Sequence, residues 1–206
     1  MSILILAVVL IPLLTALFLK VIGKFLNELL TNFITLNAAM LSVGVSFFLF
    51  GYIFLDKFKP LKFELFQWFP NPEINFEFYL DGLSGIMMVL ICSLSLVIQL
   101  FSTSYMSKDE KYTKYFEYFN FFVFSMLLLV LSGNFLVMFF GWELVGLSSY
   151  LLISFWSEKK SASRAGNKAF ILNRIGDFGF LIGLMMILNQ YQTFNFLNIF
   201  NSTLEN

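Results

Sequence analysis

The tightest constraint on how this chain can fold lies between Phe139 and Asp177. Two apolar runs, FFGWELVGLSSYLLISFW and AFILNRIGD with its continuation, flank the polar loop SEKKSASRAGNK. Each run has about the 20 residues that a helix needs to cross a bilayer. Inside them sit Glu143, Arg174 and Asp177. An ionisable residue at the centre of a membrane helix costs about 2.5–3.5 kcal/mol even on the lenient insertion scale. Such groups face a bundle interior or a wet cavity, pair with one another, and mark ion or proton paths. The functional residues are expected here.

Composition sets the class. Of 206 residues, 59% are hydrophobic and 13% charged, with a mean hydropathy of +0.82. A soluble domain has about 45–50% apolar and about 25% charged residues, so the chain reads as an integral membrane protein. Thirteen basic and thirteen acidic residues cancel, leaving no basic surface for nucleic acid. A single cysteine, Cys92, excludes an internal disulfide and any multi-cysteine metal or iron–sulfur site. The absence of histidine excludes His-held haem and His-based zinc. No glycine-rich phosphate cradle or nucleophile–base pair occurs. The 29 phenylalanines, with abundant Leu, Ile, Asn and Lys, suit an AT-rich genome such as that of an organelle.

Six transmembrane helices are predicted in an all-α membrane protein: Ile3–Ile22, Phe33–Leu55, Gly82–Tyr105, Tyr115–Leu131, Phe135–Trp156 and Ala165–Asn189. The first lacks a basic n-region and a small-residue cleavage site, so it reads as a retained helix. The organisation is thus helices 1–2 in residues 1–55, a polar connection in 56–81, helices 3–6 in 82–189 and a polar tail in 190–206. Within the connection, Lys62–Leu65 and Ile74–Phe78 alternate around Pro70-Asn71-Pro72. That pattern fits an external β-hairpin or an irregular loop. Nine Lys and Arg residues fall in the loops after helices one, three and five, against Lys57, Lys59 and Lys62 on the other side. The positive-inside rule then puts both termini and the hairpin on the side away from the cytosol or matrix.

At 1.5 Å per residue, Glu143 lies about 20 Å, Asp177 about 18 Å and Arg174 about 14 Å from the loop between helices five and six. The three share one middle layer. Arg174 and Asp177 are i,i+3 and can pair along one helix face, either as a relay or as a packing device. Glu143 has no basic partner on its own helix, so it needs one from another helix or spends part of its time protonated. Lys168 lies only about 5 Å inside and points to another face, as a weaker relay member or a snorkelling anchor. Gly179 and Gly183 form a small-xxx-small pair that permits close helix packing. Trp142 reads as a lipid-facing residue.

FFGWELVGLSSYLLISFW followed by KAFILNRIGDFG closely resembles subunit 5 of respiratory complex I, the proton-pumping NADH–quinone oxidoreductase, whose pattern is close to GWEGVGLxSYLL and then KA-(F/M)-xxx-RVGD. FYLDGLSGIMMVLICSLSLVIQLFSTSYM resembles the family's N-terminal signature, an LD-x-LS followed by a helix ending Y-M. The resemblance runs from about Phe63 to Phe196. It implies the first part of an antiporter-like inverted-repeat bundle. By position, Glu143 matches a buried glutamate that pairs in the family with a lysine on a broken seventh helix. Lys168, Arg174 and Asp177 match charged positions of the sixth. Leu144 stands where the family usually has glycine.

The resemblance also implies the surroundings. The expected function is that of a membrane-arm piece, taking part in proton translocation coupled to electron transfer from NADH to ubiquinone in the mitochondrial inner membrane. No cofactor is expected on this chain; FMN, iron–sulfur clusters and quinone would sit on other subunits. Expected partners are membrane lipid, other membrane-arm subunits, chiefly the neighbouring antiporter-like subunit 4, and a second chain carrying the remainder of a split subunit 5. The same motifs fit the large subunit of a multisubunit cation/proton antiporter, and a degenerate subunit kept only for assembly is the third reading.

Overall fold

A computed structural model of the chain describes residues 1–57, 59–70 and 73–204. Helix α1 spans Ser2–Ile22 and ends in a 3-10 turn, Gly23–Phe25; α2 spans Glu28–Leu55. Strands β1 (Leu61–Pro70) and β2 (Glu73–Leu80) follow, then α3 (Gly82–Tyr105), α4 (Tyr112–Val130), α5 (Phe135–Ile153), α6 (Lys160–Tyr191) and α7 (Phe196–Leu204). Of the expected turn, Asn71 and Pro72 lie outside the described residues.

Caps fix the boundaries. The LD-x-LS signature is a capping box: Ser84 N–H donates to Asp81 Oδ1 and Asp81 N–H to Ser84 Oγ, both at 2.8 Å, so α3 starts at Gly82. Asn27 and Asn134 cap α2 and α5 in the same way, each accepting at 2.9 Å. Three predicted limits shift, the first being the start of α2, which the Asn27 cap sets at Glu28 rather than Phe33. Helix α6 begins at Lys160 rather than Ala165, because the Ala, Lys and Arg of KSASRAGNK are good helix formers with no proline among them. The tail is not simply polar: Phe196, Ile199 and Phe200 recur at helical spacing and fold α7 back, with the Phe196 ring 4.6 Å from that of Phe135.

Among the described residues, five helical stretches are long and apolar enough to cross a membrane, against the six predicted: Ile3–Phe25, Glu28–Leu55, Gly82–Tyr105, Phe135–Ile153 and Lys160–Tyr191. The fourth run falls short on composition, since the first half of α4 carries Lys114, Glu117, Asn120 and three tyrosines. Helix α4 is instead the centre of the bundle, packed against α1, α2, α3 and α5. Its buried Phe116, Phe119, Val123, Leu127 and Leu128 meet Val8 of α1, Ile53 of α2 and Met88 of α3 in the principal core or adjoin it. Polar groups in this interior bond back to their own helix, as Thr35 to Thr31 O (2.9 Å) and Asn120 to Phe116 O (2.9 Å) do. Large apolar side chains such as Leu29, Phe33, Val97, Phe101 and Phe178 point outward instead.

The strands pair antiparallel, Lys62 opposite Tyr79 and Glu64 opposite Glu77, with register shifts either side of Phe66. Glu77 is 1% exposed. The two facing carboxylates would repel, and Lys62 Nζ lies 2.7 Å from Glu64 and 2.8 Å from Glu77. Glu77 also accepts from Asn195 Nδ2 at 2.6 Å, while its carbonyl accepts from Gly133 N–H at 2.9 Å. The hairpin is thereby clamped to the α4–α5 turn and to the start of α7. Burial opposes the Lys62 ammonium, but the bonds from Glu64 and Glu77 outweigh it and raise its pKa above 10.5.

Two outcomes follow from the clamp. A Cβ at Gly133 would meet Glu77 Cγ at 2.6 Å and its carbonyl oxygen at 3.2 Å. Gly133→Ala is therefore expected to cost about 1–3 kcal/mol and to expose the hairpin to limited proteolysis; an unchanged digestion pattern would contradict the close approach. Because the folded Lys62 pKa is the raised one, its contribution is complete below the unfolded value and is lost as pH climbs through the folded value. Protection of the hairpin amides in hydrogen exchange should persist through neutral pH and decline only above about 10.5.

Candidate functional site

The middle of α5 and α6 forms one wall of a hollow of about 340 Å³, closed behind by Met126 and Leu129 of α4. Close approach of α4 to α5 depends on Gly141, where a Cβ would lie 2.7 Å from the Leu129 backbone. Across the hollow, a Cβ at Gly146 would stand 3.5 Å from Asn173 Nδ2, an ordinary contact. Glu143, Arg174 and Asp177 all line this space, as the sequence predicts.

The partner that Glu143 lacks on its own helix comes from α6. Arg174 Nη1 forms an ion pair with Glu143 Oε2, and the same nitrogen lies 3.7 Å from Asp177 Oδ2. One guanidinium is thus shared by two carboxylates, leaving the trio with a net charge of −1. The carboxylates are sheltered, with side chains 18% (Glu143) and 8% (Asp177) exposed, whereas Arg174 is 45% exposed. The guanidinium carbon also lies 4.9 Å from the Phe170 ring centroid, one helical turn earlier on α6.

Lys168 stands apart. It is exposed, does not line the hollow and makes no ion pair among the described residues. Gly179 and Gly183 do not serve close packing within the described residues, since a Cβ at either would meet nothing within 4 Å. They lie on the open side of α6 with Ile175, Phe178 and Ile182.

Trp142 is the residue that sequence reasoning misplaced. Its indole Nε1–H donates to Asp177 Oδ1 at 2.8 Å, so it serves the charge cluster and not only lipid. The available signal was its position directly before Glu143. Phe170 was likewise legible only as one more apolar residue. Glu77 read as the polar half of an alternating strand, and its burial was not visible in the pattern.

The comparisons fit this geometry. Residues 68–116 match the family described as "NADH-Ubiquinone oxidoreductase (complex I), chain 5 N-terminus", and residues 132–206 the one described as "NADH:quinone oxidoreductase/Mrp antiporter, TM". The chain is a homologue of the N-terminal portion of complex I subunit 5. It is 37% identical over 192 residues to NADH-ubiquinone oxidoreductase chain 5 of Acanthamoeba castellanii, covering 92% of this chain and 28% of that protein. To NADH-quinone oxidoreductase subunit L of Buchnera aphidicola it is 37% identical over 195 residues, 93% of this chain and 32% of the relative. The chain therefore spans about a third or less of the length of these relatives. Among solved structures, the archaeal membrane-bound sulfane sulfur reductase, a respiratory membrane complex, superposes with a TM-score of 0.81 at 20% identity. That match covers 95% of this chain and 39% of the other, and it shows a shared fold.

The shared guanidinium makes a specific energetic prediction. Arg174→Gln should leave two sheltered carboxylates facing each other and destabilise the subunit more than Asp177→Asn does. Adding Glu143→Gln to Arg174→Gln should recover about 1–2 kcal/mol of that loss in a thermal double-mutant cycle. Strict additivity of the two changes would show that the pair does not interact.

Proposed function

We propose that this chain forms the first helical bundle of a subunit-5-type membrane-arm subunit of NADH:ubiquinone oxidoreductase, and that its central hollow holds protons in transit. The observation that carries the reading is a carboxylate, Glu143, sheltered at mid-membrane and paired with a shared arginine. A proton taken up by Glu143 would weaken its hold on Arg174, and Asp177 would compensate the cation in its place. Loss of the proton would draw Arg174 back. Lys168, six residues before Arg174 and exposed, is assigned an outer position on the same route.

Six crossings and an external hairpin belong to this reading. Helix α4, about 28 Å long, matches a bilayer core in length. Its start touches the start of α2 through Thr31 and Thr113, and Leu131 just past its end accepts from Tyr79 of the hairpin at 2.8 Å. It therefore runs the height of the bundle antiparallel to α3, and its central position allows the polar residues that exclude it on composition. With α4 counted, the lysine-rich loops share one side and the hairpin the other. The positive-inside rule then supports a matrix face for the loops and an intermembrane-space face for the hairpin and both termini, in a mitochondrial inner membrane.

FMN, iron–sulfur clusters and quinone are assigned to other subunits, and electron transfer with them. The partners assigned to the chain are membrane lipid, the helices completing its longer relatives on whichever polypeptide carries them, and the neighbouring antiporter-like subunit 4. The exposed side of α6, where Arg174 emerges, suits the first of these protein contacts.

The family described for residues 132–206 also includes Mrp antiporters, so a cation/proton antiporter subunit is the second reading. A native gel of the source membranes, stained for NADH oxidation and analysed by mass spectrometry, separates the two. The chain is expected in a large NADH-active band; its presence only in an antiporter assembly would reverse the order. Within that band, Glu143→Gln should lower the protons moved per NADH oxidised while the amount of assembled complex is kept. Unchanged pumping would leave an assembly role alone.

A further inference from the structure

Asp177 is engaged on both sides, by two contacts of different kinds. Oδ2 faces Arg174 at 3.7 Å, too long for a hydrogen bond, whereas Oδ1 accepts from the Trp142 indole at 2.8 Å. The tighter bond belongs to the neutral donor. Trp142 is itself fixed, its ring stacked on Phe180 of α6 with centroids 6.2 Å apart and planes within 11°. The residue is 49% exposed, and the one acceptor that its indole N–H needs at mid-membrane is this carboxylate of the charge cluster.

We propose that Trp142 is a positioning residue for the proton-carrying cluster, holding Asp177 at a fixed distance from Arg174 so that the guanidinium rests on Glu143. Without the indole N–H, Asp177 turns its free oxygen to Arg174, closes the 3.7 Å gap and draws the arginine off Glu143. With it, Asp177 stays a standby anion, close enough to receive Arg174 when Glu143 takes a proton and too far to capture it beforehand. The inference rests on the proton-transfer reading above and adds to it the group that sets where Arg174 rests.

The test is Trp142→Phe in the fully assembled complex, in membrane vesicles, alone and combined with Asp177→Asn. Phenylalanine keeps an aromatic ring beside Phe180 while removing the N–H donor together with the pyrrole part of the indole. The quantity measured is protons moved per NADH oxidised, which does not depend on how much complex assembles. The expected result is a lowered ratio in Trp142→Phe, and no further loss when it is added to Asp177→Asn, because the indole acts through that carboxylate. A wild-type ratio in Trp142→Phe, or a loss that adds fully to that of Asp177→Asn, would overturn the proposal. Glu143→Gln in parallel separates the two levels: if it lowers the ratio while Trp142→Phe does not, only the positioning role fails. If Glu143→Gln itself pumps normally, the proton-transfer reading fails and takes this inference with it.

Discussion

A hydrocarbon core supplies no partner for a polar group, so those in the interior of this bundle bond largely within the protein, with the buried Gln99 Oε1 an exception. Most of the chain's local choices follow from that requirement. Thr15, Thr35, Ser42 and Ser125 turn their hydroxyls onto carbonyls one helical turn earlier. Asp81, Asn134 and Asn27 meet the free N–H groups at helix starts. The same demand makes the charge cluster on α5 and α6 informative. Its charges do not cancel, since two carboxylates share one guanidinium, and it sets an uneven group of charges at a depth where charged side chains are rare.

The two ends and the two sides of the bundle are held very differently. At the hairpin end, Glu77 gathers Lys62, Gly133 and Asn195 from three separate segments, tying strands, turn and α7 together. Along the side, α6 buries little beyond Gly166, Asp177 and Leu184 and presents Ile171, Ile175, Phe178, Ile182 and Met186 outward. The bundle thus has a braced floor and one open apolar wall. Arg174 occupies the boundary, with its charged end in the hollow and its flank towards that wall.

The sequence made the apolar elements legible because their signals are local. Spanning length, Asn and Asp caps and the alternation of β1 and β2 are each written within a few residues. Helix α4 was legible as an apolar run, but its place at the centre of the bundle was not, because that is set by neighbours that come before and after it in the chain. The start of α6 was obscured by polarity, which says nothing against helix when Ala, Lys and Arg supply it. The charged trio was legible as residues and as a layer, but the assignment of partners was not. Glu143 and Arg174 are 31 positions apart, and only packing of α5 on α6 makes them neighbours. Trp142 was masked by a general rule, that membrane tryptophans face lipid, which holds for its ring and fails for its N–H.

The pairing has a logic that the antiparallel register makes visible. Running out of the loop between α5 and α6, Glu143 comes before Trp142 on one helix and Arg174 before Asp177 on the other. Acceptor then donor therefore meets donor then acceptor, and each helix gives one bond and takes one. Adjacent residues on α5 rise about 1.5 Å while i,i+3 residues on α6 rise about 4.5 Å, so the two contacts cannot both be made by short side chains. The long arginine spans the difference towards Glu143, and the wide indole reaches Asp177. The Trp142–Asp177 bond is neutral on the donor side and is made without the arginine, so it is separable from the pairing of Arg174 with Glu143. In the proposed transfer, that independence would let Arg174 move between two anions without unlocking the helices that carry them.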